Sequence, residues 1–175
     1  HRLEKIKMLN ALDVDILIFD YRGYGMSEGS PSEKGLYIDT KAVYDYLVKV
    51  RGVSPEKIIA YGESLGGTVA IALAVEEKLG GITLENSFTS IRDMAKKFYP
   101  FLPSFIVKDR FNSLKKINNV RTSKLIFHSV DDEIVPFEFG RQLFNAAAEP
   151  KEFVEIKGSH NDAFIVSMNV FISKI

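Results

Sequence analysis

Eleven consecutive residues, Leu65 to Val75, carry no charge in a chain where 26% of the residues are Asp, Glu, Lys or Arg. The segment reads as a helix running on to Leu79, with Glu76 as its first charged residue. A helix that is apolar all round is buried all round. It therefore needs a core that can enclose it, and 175 residues are enough for one domain with one core.

The neighbouring segments switch between helical and strand periods. Leu3 to Leu12 places Leu3, Ile6 and Leu9 on one helical face, and Val14 to Asp20 reads as a buried strand. Tyr21 to Lys34, rich in Gly, Ser and Pro, is a loop, and Gly35 to Lys49 is an amphipathic helix. Ser54-Pro55-Glu56 marks a turn before a strand over Lys57 to Tyr61. After the uncharged helix come a strand (Gly81 to Glu85), a helix (Thr89 to Phe98) and an irregular stretch with Pro100 and Pro103. Lys124 to Ser129 and Glu152 to Ile156 are strands, Glu138 to Ala148 a helix, and Ala163 to Lys174 a final helix. Strands alternating with helices imply parallel strands joined by right-handed crossovers, so the fold class is α/β. No linker or repeat divides residues 1–175, which predicts a single domain without a large cap.

Composition narrows the function. Lys and Arg (23) balance Asp and Glu (23), which argues against a general nucleic-acid binder. There is no Cys, hence no disulfide, thiolate metal site or cysteine nucleophile. His1, His128 and His160 are too far apart for a His-x-x-x-His metal site, so no metal or cofactor is expected. No apolar run approaches the roughly 18 residues of a membrane span, and no signal peptide stands at residue 1.

The uncharged helix opens with Gly62-Glu63-Ser64-Leu65-Gly66, a Gly-x-Ser-x-Gly pattern between a strand and a helix. This is the setting of a nucleophile elbow. Small neighbours (Gly62, Gly66 and Gly67) leave room for a strained serine at the carboxyl edge of the sheet. The Leu65 N–H would face a substrate oxyanion. The bland alternative is that Ser64 caps the helix.

A serine hydroxyl needs a base, and the base needs a carboxylate to hold its tautomer. In the elbow fold the chain order is Ser, acid, His. The loop after Leu125–Ser129 carries Asp131, Asp132 and Glu133, and the loop after the next strand carries Gly158-Ser159-His160-Asn161-Asp162. Parallel strands deliver both loops to the edge that holds Ser64. His160 is the better base, whereas His128 ends a strand and is expected to pack beside the acid loop. Spacing leaves Asp131 and Asp132 nearly tied as the acid. The unused carboxylates are expected as solvated loop charges or helix N-terminal charges, with Asp162 placed to cap the last helix.

Four segments together resemble the serine-hydrolase branch of the α/β-hydrolase superfamily that includes small membrane-anchored, depalmitoylase-like enzymes and bacterial relatives. They are Asp20-Tyr21-Arg22-Gly23-Tyr24-Gly25-x-Ser27, the elbow Tyr61 to Gly67, His128-Ser129-x-x-Asp132-x-x-Val135-Pro136, and Gly158 to Asp162. The resemblance favours Asp132 as the acid, giving Ser64, Asp132 and His160 as catalytic residues and Leu65 as an oxyanion donor. Ser129 and Ser159 stand where the family usually has Gly. Asp20 and Arg22 would be structural partners.

The resemblance also implies that several strands and a His-Gly oxyanion loop precede the helix at the start, so the chain corresponds to strands four to eight of an N-terminally truncated fold. The strand over Val14 to Asp20 would then either pair directly with Lys57 to Tyr61 or leave a groove of unpaired backbone. An open edge of that kind invites self-association.

The expected activity is cleavage of carboxylic esters or thioesters, lipid-like acyl compounds included, through an acyl-enzyme on Ser64. The alternatives are an aminopeptidase-like serine peptidase and a catalytically incomplete fragment acting as a binding module. The aromatic stretch Phe98 to Val107 either borders an acyl pocket or covers the sheet as core. The expected location is cytoplasmic, with a membrane anchor only if a missing N-terminal segment carries one.

Overall fold

The computed structural model describes residues 2–103, 106–108 and 110–175. The uncharged helix α3 (Leu65–Glu76) buries every residue from Gly67 to Ala74. It is enclosed by β1 (Ile59–Glu63) and β2 (Gly81–Glu85) on one side and by α2 (Glu33–Asp45) and α5 (Ser113–Ile117) on the other.

β1 and β2 continue into β3 (Ser123–Ser129) and β4 (Lys151–Ile156), and the sheet order is β1-β2-β3-β4. All three pairings are parallel, with Gly62 opposite Leu84, Leu84 opposite Ile126 and Ile126 opposite Phe153. Every strand therefore ends at the same sheet edge.

Side chains alternate between two cores, as the two-residue period of a strand requires. Ile82, Leu84 and Ile126 join Ile71, Leu73, Ile117 and Leu143 on one face. Phe127, Val154 and Ile156 join Met8, Phe164 and Phe171 on the other, where the Phe127 and Phe171 rings stack with centroids 4.1 Å apart. Met8 comes from α1 (Arg2–Asn10), and the phenylalanines from α7 (Ala163–Val166) and α8 (Met168–Lys174).

Three expectations need correction. Val14 to Asp20 is not a strand; Val14, Leu17 and Ile18 are 45%, 42% and 55% exposed. A strand is completed by a ladder, and among the described residues no strand lies beside this segment. It does not pair with β1, so the described sheet supplies the equivalents of strands five to eight, with β1 and β4 at its two edges. The final helix is broken at Ser167, whose hydroxyl accepts from Lys157 N (2.8 Å) and donates to Lys157 O (3.0 Å). The aromatic stretch is not core: Phe98, Tyr99, Phe101 and Leu102 are exposed, while Ser104 and Phe105 lie outside the described residues.

Other boundaries shift by a few residues. Ser32 caps α2 by accepting from Gly35 N, and a short π-helical turn follows at Tyr46–Val50. α4 (Ile91–Phe98) is capped by Ser90, and α6 is Phe137–Ala146. No helix among the described residues is long and apolar enough to cross a membrane.

Candidate active site

Ser64 stands between β1 and α3 with φ 52° and ψ −114°. Positive φ is uncommon outside glycine and marks a strained position held by its surroundings. Two backbone bonds hold it. Ser64 N donates to Glu85 O at the end of β2 (2.8 Å), and Gly67 N donates to Ser64 O (3.1 Å). The hydroxyl makes no capping bond to α3, so the helix-cap alternative is not realised.

The turn leaves no space at two of its glycines. A Cβ at Gly62 would lie 2.3 Å from Gly66 O, and one at Gly67 would lie 1.7 Å from Ser87 Oγ. Gly66 is different: the nearest atom is Tyr21 Oη at 3.9 Å, so close packing does not require glycine there. Leu65 is the first residue of α3, and its N–H is one of the donors a helix leaves without an internal acceptor.

The acid and base loops meet across the ends of β3 and β4. His160 Nδ1 lies 2.7 Å from Asp132 Oδ2. Asp132 Oδ1 accepts from Ile134 N (2.9 Å) and Val135 N (2.7 Å). The Asp132 side chain is fully buried and that of His160 nearly so. With the carboxylate as acceptor, Nδ1 carries the proton and Nε2 is left with its lone pair. Burial disfavours the charged imidazolium, but the hydrogen bond and charge of Asp132, helped by Glu63 and Glu133, outweigh it and raise the His160 pKa above 6.5.

The other loop carboxylates have structural partners. Asp131 Oδ2 accepts from Gly158 N (3.2 Å), and Glu133 Oε2 accepts from His160 N (3.0 Å). Both staple the acid loop to the base loop, and both residues are exposed loop charges, as expected. Ser129 adds another link, since its hydroxyl donates to Gly158 O. Asp162 precedes α7 without capping it, and its buried Oδ1 has no hydrogen-bond partner among the described residues.

His128 is wholly buried beside the acid loop. Its Nε2 is 3.0 Å from Val135 O, and burial lowers its pKa. Arg22 pairs with Asp39 of α2, Nη2 reaching Oδ1 at 2.6 Å. His1 lies outside the described residues.

Two features have no signal in local spacing. Asn86, also at positive φ (47°), is wholly buried just after β2. Its amide donates to His160 O (3.3 Å) and its carbonyl accepts from Ser129 N (2.9 Å), linking three strand ends. Beneath the elbow, Lys5 of α1 pairs with both Glu63 (2.7 Å) and buried Glu85, which also accepts from Tyr61 Oη. Burial, reinforced by Glu63 and opposed by Lys5, raises the Glu85 pKa. Among the described residues no three His, Asp or Glu side chains converge as metal ligands would.

Residues 3–115 match the family model described as the alpha/beta hydrolase fold. The chain belongs to the alpha/beta-hydrolase family. It is 37% identical over 176 residues to an uncharacterized protein of Mycobacterium tuberculosis, covering 99% of this chain and 63% of that protein. Protein bem46 of Schizosaccharomyces pombe is 37% identical over 171 residues (93% and 57%). Lysophosphatidylserine lipase ABHD12 of Bos taurus is 35% identical over 176 residues (90% and 44%). The chain thus spans less than two thirds of these relatives. Among solved structures, an alpha-beta hydrolase from Vibrio vulnificus superposes with a TM-score of 0.72 at 25% identity, covering 89% of this chain and 62% of that one. An alpha-beta serine hydrolase homologue from Coxiella burnetii has a TM-score of 0.70 at 23% identity (97% and 71%), a likeness of fold.

Proposed function

We propose that this alpha/beta hydrolase is a serine hydrolase of carboxylic esters or thioesters, acting through Ser64, His160 and Asp132. The observation that carries this reading is the 2.7 Å His160 Nδ1–Asp132 Oδ2 hydrogen bond at the sheet edge that also bears the strained Ser64. The fixed tautomer leaves His160 Nε2 to take the Ser64 proton as Oγ attacks the acyl carbon. The tetrahedral oxyanion is met by the Leu65 N–H at the positive end of α3. The C–O or C–S bond then breaks, and the leaving group takes the proton from Nε2. Water, deprotonated by the same nitrogen, releases the acid and frees Ser64.

Lipid-like acyl esters are the substrate class we favour, because a relative of 35% identity is named a lysophosphatidylserine lipase. The test is labelling by a fluorophosphonate probe. The parent chain should label, and Ser64→Ala and His160→Ala should not. A folded parent that stays unlabelled would remove the reading.

A further inference from the structure

The excursion between β2 and α5 leaves the sheet at the edge that carries Ser64. It is closed at its base by Ile91 N to Arg110 O (3.0 Å) and Ser113 N to Thr89 O (2.8 Å). Phe111 N adds a tether to Glu33 of α2 (2.9 Å). Within it, α4 places Ile91, Met94, Ala95 and Phe98 on one face, at the i, i+3, i+4, i+7 spacing of a core-facing helix. Yet no residue of α4 is fully buried. The apolar surface continues past its end: Phe98 is 49% exposed, Tyr99 53%, Phe101 76% and Ile106 59%.

Basic residues flank this stretch in the sequence. Lys96, Lys97, Lys108 and Arg110 are all exposed. From Lys96 to Arg110 the sequence holds four basic residues and one acidic residue, Asp109, in a chain whose formal net charge is zero. Exposed aromatics with exposed cations on both sides of them in the sequence suit a boundary that is apolar inside and negative at its surface. A protein partner would equally cover the apolar face, but the local excess of positive charge selects an anionic one.

We propose that this excursion docks the chain on an anionic lipid surface, with Phe98, Tyr99 and Phe101 entering the headgroup layer and Lys96, Lys97 and Lys108 facing the headgroups. The excursion itself leaves the sheet at the edge that bears Ser64. Its use in receiving lipid substrates rests on the hydrolase reading; the docking itself does not.

The test is co-sedimentation of the chain with phosphatidylcholine vesicles, with and without added phosphatidylglycerol. The chain should bind the anionic vesicles, and binding should fall as salt is raised. Lys96→Gln with Lys97→Gln should weaken partitioning by about 25-fold, roughly fivefold for each charge. Phe101→Ser, at a position too exposed to matter for folding, should weaken it as well. Ser64→Ala should bind like the parent, so a failure of probe labelling and a failure of docking are told apart. Absence of binding by the folded chain, or equal binding by the parent and both surface variants, would overturn the proposal. So would a self-association of the chain that Phe101→Ser abolishes while vesicle binding persists.

Discussion

The two flanks of the sheet are built differently. At the β3–β4 side, each loop beyond the strands is fastened to its neighbour: Asp132 to His160, Asp131 to Gly158, Glu133 to the His160 backbone, and Asn86 to both loops. At the β1 side, the strand-like segment Val14 to Asp20 is mostly exposed and, among the described residues, joins no ladder, although β1 and β4 are both edge strands. Both sides are rich in apolar residues. The difference is that the β3–β4 side finds its hydrogen-bonding partners within the described residues. Hydrophobic pattern decides which segments can be buried; partners decide which are.

The contrast is sharpest in the chemistry of the acid loop. Asp132→Asn should lower turnover of an activated ester by about 10³–10⁴-fold, because the amide would hold the wrong imidazole tautomer. Asp131→Asn should stay within about tenfold, since it weakens one backbone staple. A larger loss for Asp131→Asn than for Asp132→Asn, read from steady-state kinetics, would reverse their assignment.

Stability should separate the flanks next. Phe127 is fully buried between β3 and α8, and Phe127→Ala should cost about 3–5 kcal/mol in urea unfolding. Leu17→Ser should shift stability by no more than about 0.5 kcal/mol, as expected for an exposed site. A large cost at Leu17 would mean that Val14 to Asp20 is buried in solution. Asn86→Ala should fall between them, at about 1–3 kcal/mol, because it leaves Ser129 N without its buried acceptor.

The smallest effect is on pH dependence. The proposed base must be neutral, so kcat/KM should rise with pH through a limb above 6.5, the ordinary histidine value, because His160 is raised. Glu63→Gln removes one of the charges that favour the imidazolium, and the limb should move to lower pH. The same raised pKa contributes stability that is fully present below 6.5 and is lost as pH rises through the folded value. His128 acts in the opposite sense: its pKa is lowered, so its contribution is lost as pH falls below 6.5. A kcat/KM limb that Glu63→Gln leaves unmoved would remove Glu63 from the electrostatics of the base.

What was legible in the sequence follows from how local each feature is. The elbow could be read because a strand, a tight turn and an uncharged helix are consecutive, and Gly62 is demanded by backbone only four residues away. The order of acid and base loops follows from parallel topology alone. Spacing left Asp131 and Asp132 tied, since both lie in one loop; which of them meets His160 depends on backbone donors at Ile134 and Val135. Asn86 and the Lys5–Glu85 pair were invisible because their partners lie 74 and 80 residues away. The misread strand at Val14 to Asp20 has the opposite cause: its local pattern is good, and what it lacks among the described residues is a neighbouring strand.

Among the described residues the sheet order equals the chain order, each strand lying beside the one before it. Ser64 follows β1, Asn86 follows β2, Asp132 lies in the loop after β3 and His160 in the loop after β4, so the four stand along the edge in the order in which they occur in the chain. An insertion in any one of these loops would lengthen that loop without reordering its neighbours along the edge.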